Sequence, residues 1–189
     1  MKVTKRSGKI EDVDYDKITE VLDWSVEGLD GVTSAAVLMQ AKLHMFSGIT
    51  TAAIHDSLVK AAADLITEFN PAYQYVAGRL LMAKLRKEAY STYEVPKFID
   101  QITDMVDMGK YDKEIFERYS EQEIGLFGNA MDHDKDMNFT YAAMVQMQKK
   151  YLVQDRVSKV VYESPQVAYM LIAMSLHQEE TKGRFTKVL

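Results

Sequence analysis

The sequence contains no cysteine, only three prolines and a single tryptophan in 189 residues. Without cysteine, disulfides, thiolate metal sites and thiol or thiyl chemistry are beyond the reach of this chain's own residues. No run approaches the roughly 18 apolar residues of a membrane span, and the amino terminus lacks the apolar core of a signal peptide. The expectation is a cytoplasmic chain with no membrane partner. GxGxxG, GxxxxGK[ST] and GxSxG are missing as well, so the familiar signatures of nucleotide hydrolysis and ester cleavage are absent. His44, His55, His133 and His177 form no HExxH or other close ligand pair, and no metal site is expected. Asp132, Asp134 and Asp136 alternate like a calcium loop, but Met137 stands where that loop needs glycine and Ala143 where it needs glutamate.

Basic character is also lacking. The net charge is -5 and the isoelectric point about 5.4, which leaves no broad cationic surface for nucleic acid. What the chain does have is 47% apolar and 27% charged residues, the balance of a folded globular protein.

Hydrophobic spacing sets the expected organisation. Residues 2–6 and 9–13 read as two short strands about Ser7-Gly8, with room for a third strand from elsewhere. From Asp16 the period becomes helical through Ile18, Val21, Leu22, Ser25 and Leu29, and Gly28 and Gly31 mark its end. Trp24, beside this stripe, is expected in the core. A second helix is expected over Ser34 to Phe46, and a third starts after Thr50 or Thr51, either of which can cap it. Ile54, Leu58, Ala61, Ala62, Leu65 and Ile66 give the third one apolar face. After Asn70-Pro71 a fourth runs from Ala72 to Tyr90 on Val76, Leu80, Ala83 and Ala89. The fold class is therefore mainly α (α+β): a small β-hairpin or sheet capping a four-helix bundle.

Pro96 marks the expected boundary between domains at 1–95 and 96–189. The second reads as helices at 97–108, 112–118 and 120–130, an acidic turn, a longer helix near 140–151, a short β-hairpin across 151–165 and a last helix over 165–178. That last helix is apolar around most of its circumference and a short polar tail follows. Such a helix belongs inside something larger, so this domain is expected to be incomplete.

Cations gather in two windows that contain no acid. Lys2, Lys5, Arg6 and Lys9 lie in the hairpin, and Arg79, Lys84, Arg86 and Lys87 lie in the fourth helix. Two readings fit: ordinary solvated faces, or two clusters converging on one polyanion such as a phosphate chain. Thr51, opening the third helix, would add unpaired backbone donors. Glu11, Asp14 and Asp16 follow the basic stretch, where an acceptor for a base amino group would be useful. His55, one turn from Thr51, serves either as a core or capping group or as a phosphate contact.

Several segments together carry a resemblance. "VTKRSGKIEDVDYDKITEVLDWSVEGL", "GITTAAIHDSLVKAAADLI" and "NPAYQYVAGRLLMAKLRKEAY" resemble the ATP-cone of class I ribonucleotide reductase large subunits. "MVDMGKYD", "DHDKDMNFTYAAMVQMQKKYLVQD" and "YESPQVAYMLIAMSLHQ" resemble the helical region preceding the catalytic barrel of the same enzymes. The resemblance implies an allosteric site for ATP or dATP, bound with magnesium, and no redox cofactor in this chain. Carried over by position, it puts Lys5, Arg6, Thr51, His55 and Lys87 on the phosphates. Val3, Glu11, Asp12, Val13, Asp14, Tyr15, Asp16 and Lys17 would surround base and sugar, Glu11 accepting from the adenine amino group. Asp14 departs from the neutral amide that the family can place there, which bears on the base contacts. The family's catalytic cysteines are missing, so this chain would be inactive alone. It would act with a barrel-bearing fragment of the large subunit and a radical-generating small subunit, in a higher oligomer. The opposing expectation is an assembly module that completes a split large subunit without binding nucleotide. A cone joined to a repressor is excluded, because that family's zinc ribbon needs cysteine.

Overall fold

The computed structural model describes residues 1–5, 7–180 and 183–188. The chain forms two compact units, one of residues 1–84 with 137–146 and the other of 85–136 with 147–189.

In the first unit, β1 (Lys2–Thr4) and β2 (Ile10–Asp12) pair antiparallel with Val3 opposite Glu11. The turn between them closes through Gly8 N–H donating to the Lys5 carbonyl, with Gly8 at φ 81°. Glycine occupies that left-handed region without a Cβ penalty. β1 also bonds on its other side: Thr4 N–H donates to the Ile49 carbonyl, Gly48 N–H to the Lys2 carbonyl, and Thr4 bridges Thr50 in parallel. The expected third strand is thus a single bridge from residues 48–50.

Four helices follow, at α1 (Tyr15–Val26), α2 (Ser34–Lys42), α3 (Thr51–Asp64) and α4 (Tyr73–Tyr90). Asp14, Thr33 and Thr50 cap the first three by accepting from the third residue on, which supplies partners to amides that the helix cannot. Most residues of the stripes read from the sequence are buried, and Val37 and Ala41 of α2 and Ala77 of α4 join them. Ile18, Leu22, Val37, Ala41, Ile54, Leu58, Ala61, Ala62, Val76, Ala77 and Leu80 are all buried. Trp24 is only half-buried. α2 ends four residues before Phe46, leaving Leu43 and Phe46 exposed. Ile66 lies beyond the end of α3 and is also exposed. Residues 137–146 bring α8 (Tyr141–Gln146), preceded by Phe139, whose carbonyl oxygen lies against Gly78.

The second unit contains α5 (Phe98–Asp107), α6 (Ile115–Arg118), α7 (Glu121–Ala130), α9 (Pro165–Leu176) and α10 (Arg184–Val188). Its core joins Phe98, Ile102, Tyr119, Ile124, Phe127, Val167, Met170, Met174 and Val188. Burial of Val188 explains α10, which lies where only a polar tail was expected. The acidic turn is a 3-10 helix over His133–Asn138, and the expected long helix changes its winding to a π turn at Met147–Tyr151.

The expected hairpin across 151–165 is reduced to one bridge, Gln154 with Val161. Side chains take the backbone donors that a ladder would use. Asp155 accepts from the amides of Val157 and Ser158, and Glu163 accepts from that of Val153 at 2.9 Å. Glu163 is itself buried and also accepts from the Tyr111 hydroxyl. Burial raises the Glu163 pKa above 4.5 and that of Tyr90, whose hydroxyl accepts from Ser164 N–H, to about 12.

A methyl group at Gly78 would overlap the Phe139 carbonyl. Gly78→Ala, favoured by about 1 kcal/mol on helix propensity alone, should instead lose roughly 1–3 kcal/mol by overpacking, read as a lower urea midpoint. Glu163 has a raised folded-state pKa, so its contribution is greatest below the unfolded value and is lost as pH rises through the folded one. Glu163→Gln should flatten that part of the melting-temperature profile upward from pH 4.

Candidate functional site

The hairpin has two chemically different faces because strand residues alternate sides and opposed residues share one. Val3 and Glu11 are opposed, and Lys5 and Lys9 follow on the same side through Lys5 N–H bonding the Lys9 carbonyl. Val3 is buried, so this is the inward face. Lys2 and Asp12 are opposed on the outer face and form their own ion pair at 2.9 Å.

Pairing of Thr4 with Thr50 sets Lys5 beside Thr51, the first residue of α3. Thr50 Oγ1 accepts from Ala53 N–H at 3.1 Å. The first-turn amides of a helix have no intrahelical acceptors, and its dipole is positive there. His55, one turn along, places Nε2 2.9 Å from the Leu80 carbonyl oxygen. A carbonyl only accepts, so Nε2 carries the proton and ties α3 to α4.

On the inward face, Lys5 Nζ lies 2.8 Å from one Glu11 carboxylate oxygen and Lys9 Nζ 3.7 Å from the other. The Lys5 hydrogen bond, reinforced by the nearby lysine charges, holds the Glu11 pKa below its usual value. Asp14 accepts from Lys17 N–H and pairs with Lys17 Nζ at 3.2 Å, which lowers the Asp14 pKa and raises that of Lys17. Tyr15 lies 5.5 Å beneath the Lys42 ammonium, and Asp16 is exposed in the first turn of α1. Val13 N–H donates to the Met1 carbonyl, extending the ladder by one bond. Arg6 lies outside the described residues.

The fourth-helix cations do not form one wall. Arg79 donates to the carbonyls of Ser25, Glu27 and Met137, closing the end of α1. Lys84 pairs with Asp56. Arg86 pairs with fully buried Asp136 at 3.1 Å and donates to the His133 carbonyl. Burial raises the Asp136 pKa, opposed by the Arg86 hydrogen bond and charge. Lys87, on the last turn of α4, lies 4.5 Å over the Tyr93 ring. These partners are remote in sequence or of unlike type, so charge counting along the helix could not find them.

Residues 1–88 match the family described as the ATP cone domain, and 137–189 match the ribonucleotide reductase all-alpha domain. The chain belongs to the ribonucleotide reductase large-subunit family. It is 45% identical over 98% of its length to ribonucleoside-diphosphate reductase 1 subunit alpha of Escherichia coli (strain K12). Against the subunit alpha proteins of Buchnera aphidicola subsp. Acyrthosiphon pisum and of Enterobacteria phage T4, identity is 44% over 96% and 42% over 99% of the chain. The chain spans about a quarter of the length of each of these relatives. The hairpin and α1 to α4 are thus the ATP cone, and α9 falls in the all-alpha domain.

Within this chain Arg86 is a structural residue. Arg86→Met should leave Asp136 buried without its cation and cost roughly 3–5 kcal/mol, seen as a large fall in the guanidinium midpoint. Asp136→Asn in the same background should recover much of that loss.

Proposed function

We propose that this chain is the adenine-nucleotide-binding regulatory part of a class I ribonucleoside-diphosphate reductase large subunit, serving deoxyribonucleotide synthesis for DNA replication. The observation that carries this reading is the match of residues 1–88 to the ATP cone domain. It is supported by the register that seats Lys5 next to the start of α3. ATP or dATP, with magnesium on its phosphates, would lie along the inward hairpin face with Lys5 and the α3 amides on the phosphates. His55 and Lys87 would add further phosphate contacts, as the resemblance implies. Val3 and the 11–17 segment would hold base and sugar. The domains proposed are the cone over 1–95 and the helical region over 96–189. Chemistry would reside in a partner fragment carrying the cysteine-bearing barrel, working with the small subunit in a higher oligomer.

A second reading, an assembly module that does not bind nucleotide, is favoured by one observation. Tyr169, Ile172 and Leu176 of α9 are exposed apolar residues at helical spacing. Such a face needs cover, and that requirement exists whether or not the cone binds a ligand.

Calorimetric titration with ATP and dATP separates the two. Binding to the folded state alone must raise the melting temperature. Lys5→Ala or Lys87→Ala should each lose a charge-assisted contact worth roughly 1.5–3 kcal/mol, while the ligand-free melt stays near that of the parent. No heat and no melting shift at millimolar nucleotide would reject nucleotide binding in favour of the assembly module.

A further inference from the structure

Cations without acid partners gather in one place in the second unit. Lys149 and Lys150 lie in the π turn and Arg156 and Lys159 in the loop after it. All four are exposed, and among the described residues none pairs with a carboxylate. Gln154 ties the two stretches together, its Nε2 donating to the carbonyls of Gln148 and Lys149 at 3.0 and 3.5 Å. The one acid in the segment is already engaged: Asp155 accepts from the amides of Val157 and Ser158, and its other oxygen lies 3.8 Å from Lys110 Nζ. Residues 149–159 therefore carry +3, four cations less one acid, in a chain of net charge -5.

The loop tip is held rigidly in a form that does little for the chain by itself. Lys159 N–H donates to the Asp155 carbonyl and Asp155 N–H to that of Val160. Lys159 sits at φ 62°, a region that favours glycine, and Val157 is 92% exposed. Beside the loop lies a cavity of about 560 Å³ walled by Tyr151, Val153, Ile115, Leu171 and Ile172, with Lys110 reaching from its lining to Asp155. An apolar hollow next to a charged rim is the anatomy of a protein interface.

We infer that residues 149–159 and the cavity beside them form a docking surface for another protein chain, one that offers an acidic segment with an apolar side chain among its carboxylates. The cations would steer and orient that segment, and the apolar side chain would anchor it in the cavity. A nucleic-acid strand fits less well, because it is held by a long track of cations and would meet a single loop here on an acidic chain. A second copy in a two-fold dimer would set this loop against itself, with like charges opposed. The surface lies outside residues 1–88 and works the same whether or not the cone binds nucleotide.

The experiment measures binding of the full chain to three labelled peptides: leucines flanked by glutamates, the same peptide with glutamines for glutamates, and the same with alanines for leucines. A thymidine oligonucleotide is the fourth probe. The glutamate-leucine peptide should bind below millimolar concentration and weaken as salt rises, while the other two peptides should each lose about tenfold. Lys149→Ala with Lys150→Ala, and Arg156→Ala with Lys159→Ala, should each weaken it about three- to tenfold, the size expected of two exposed ion pairs. Ile172→Gln should weaken it at every salt concentration. Lys60→Ala with Lys97→Ala removes the same charge from exposed positions elsewhere and should leave binding at the parent's level. The replaced cations are exposed, so melting temperatures should stay near the parent's and lost binding reads the contact itself. No binding of the glutamate-leucine peptide at millimolar concentration overturns the inference. Equal loss in the Lys60 and Lys97 variant overturns it as a general charge effect, and an oligonucleotide that binds as tightly as the peptide overturns it in favour of phosphate. Sedimentation showing a dimer that Lys149→Ala with Lys150→Ala dissociates overturns it in favour of a second copy.

Discussion

The geometry of the cone's hairpin end depends on β1 being bonded along both edges. On one edge it pairs with β2, and on the other it bonds residues 48 and 49, which lead through Thr50 into α3. Unpaired backbone groups on a buried strand would be costly, so this double pairing fixes the hairpin against the start of α3 rather than leaving it as a free arm. Val3 anchors the same strand in the core. A three-residue strand has little intrinsic stability, and its placement therefore comes from these outside bonds.

Charge within the chain has been divided between two tasks. Arg79 and Arg86 satisfy carbonyls and a buried carboxylate, where loss of the cation would expose unpaired groups in a low-dielectric setting. The hairpin lysines sit in pairs that water still reaches. Only the second kind can change partners at small cost. A cluster of basic residues in sequence therefore says little until each side chain is traced to what it bonds.

The helices of the cone were legible because their apolar residues repeat at helical spacing and because the Thr50 cap is local, three residues from the amide it satisfies; the caps Asp14 and Thr33 are equally local but were not read. The strand pair was legible from Gly8 and alternation. Less legible were features determined by distant contacts. Glu163 takes an amide from the expected second hairpin, Val188 draws α10 into the core, and the Met147–Tyr151 turn winds more loosely than its sequence implied. At the site, the residue types were readable, and the pairing of Lys5 with Glu11 follows from strand register. The destinations of Arg79 and Arg86 do not, since their acceptors lie about 50 residues or more away in sequence.

The alternation of the hairpin also constrains how this part of the gene can change. If β2 slipped by a single residue against β1, Glu11 would turn to solvent and Ile10 or Asp12 would turn inward, since every side chain would change face together. A slip of two would restore the pattern. Insertions or deletions within β2 should accordingly survive in even steps, whereas the turn at Ser7-Gly8 can absorb either parity so long as it leaves the strands in register.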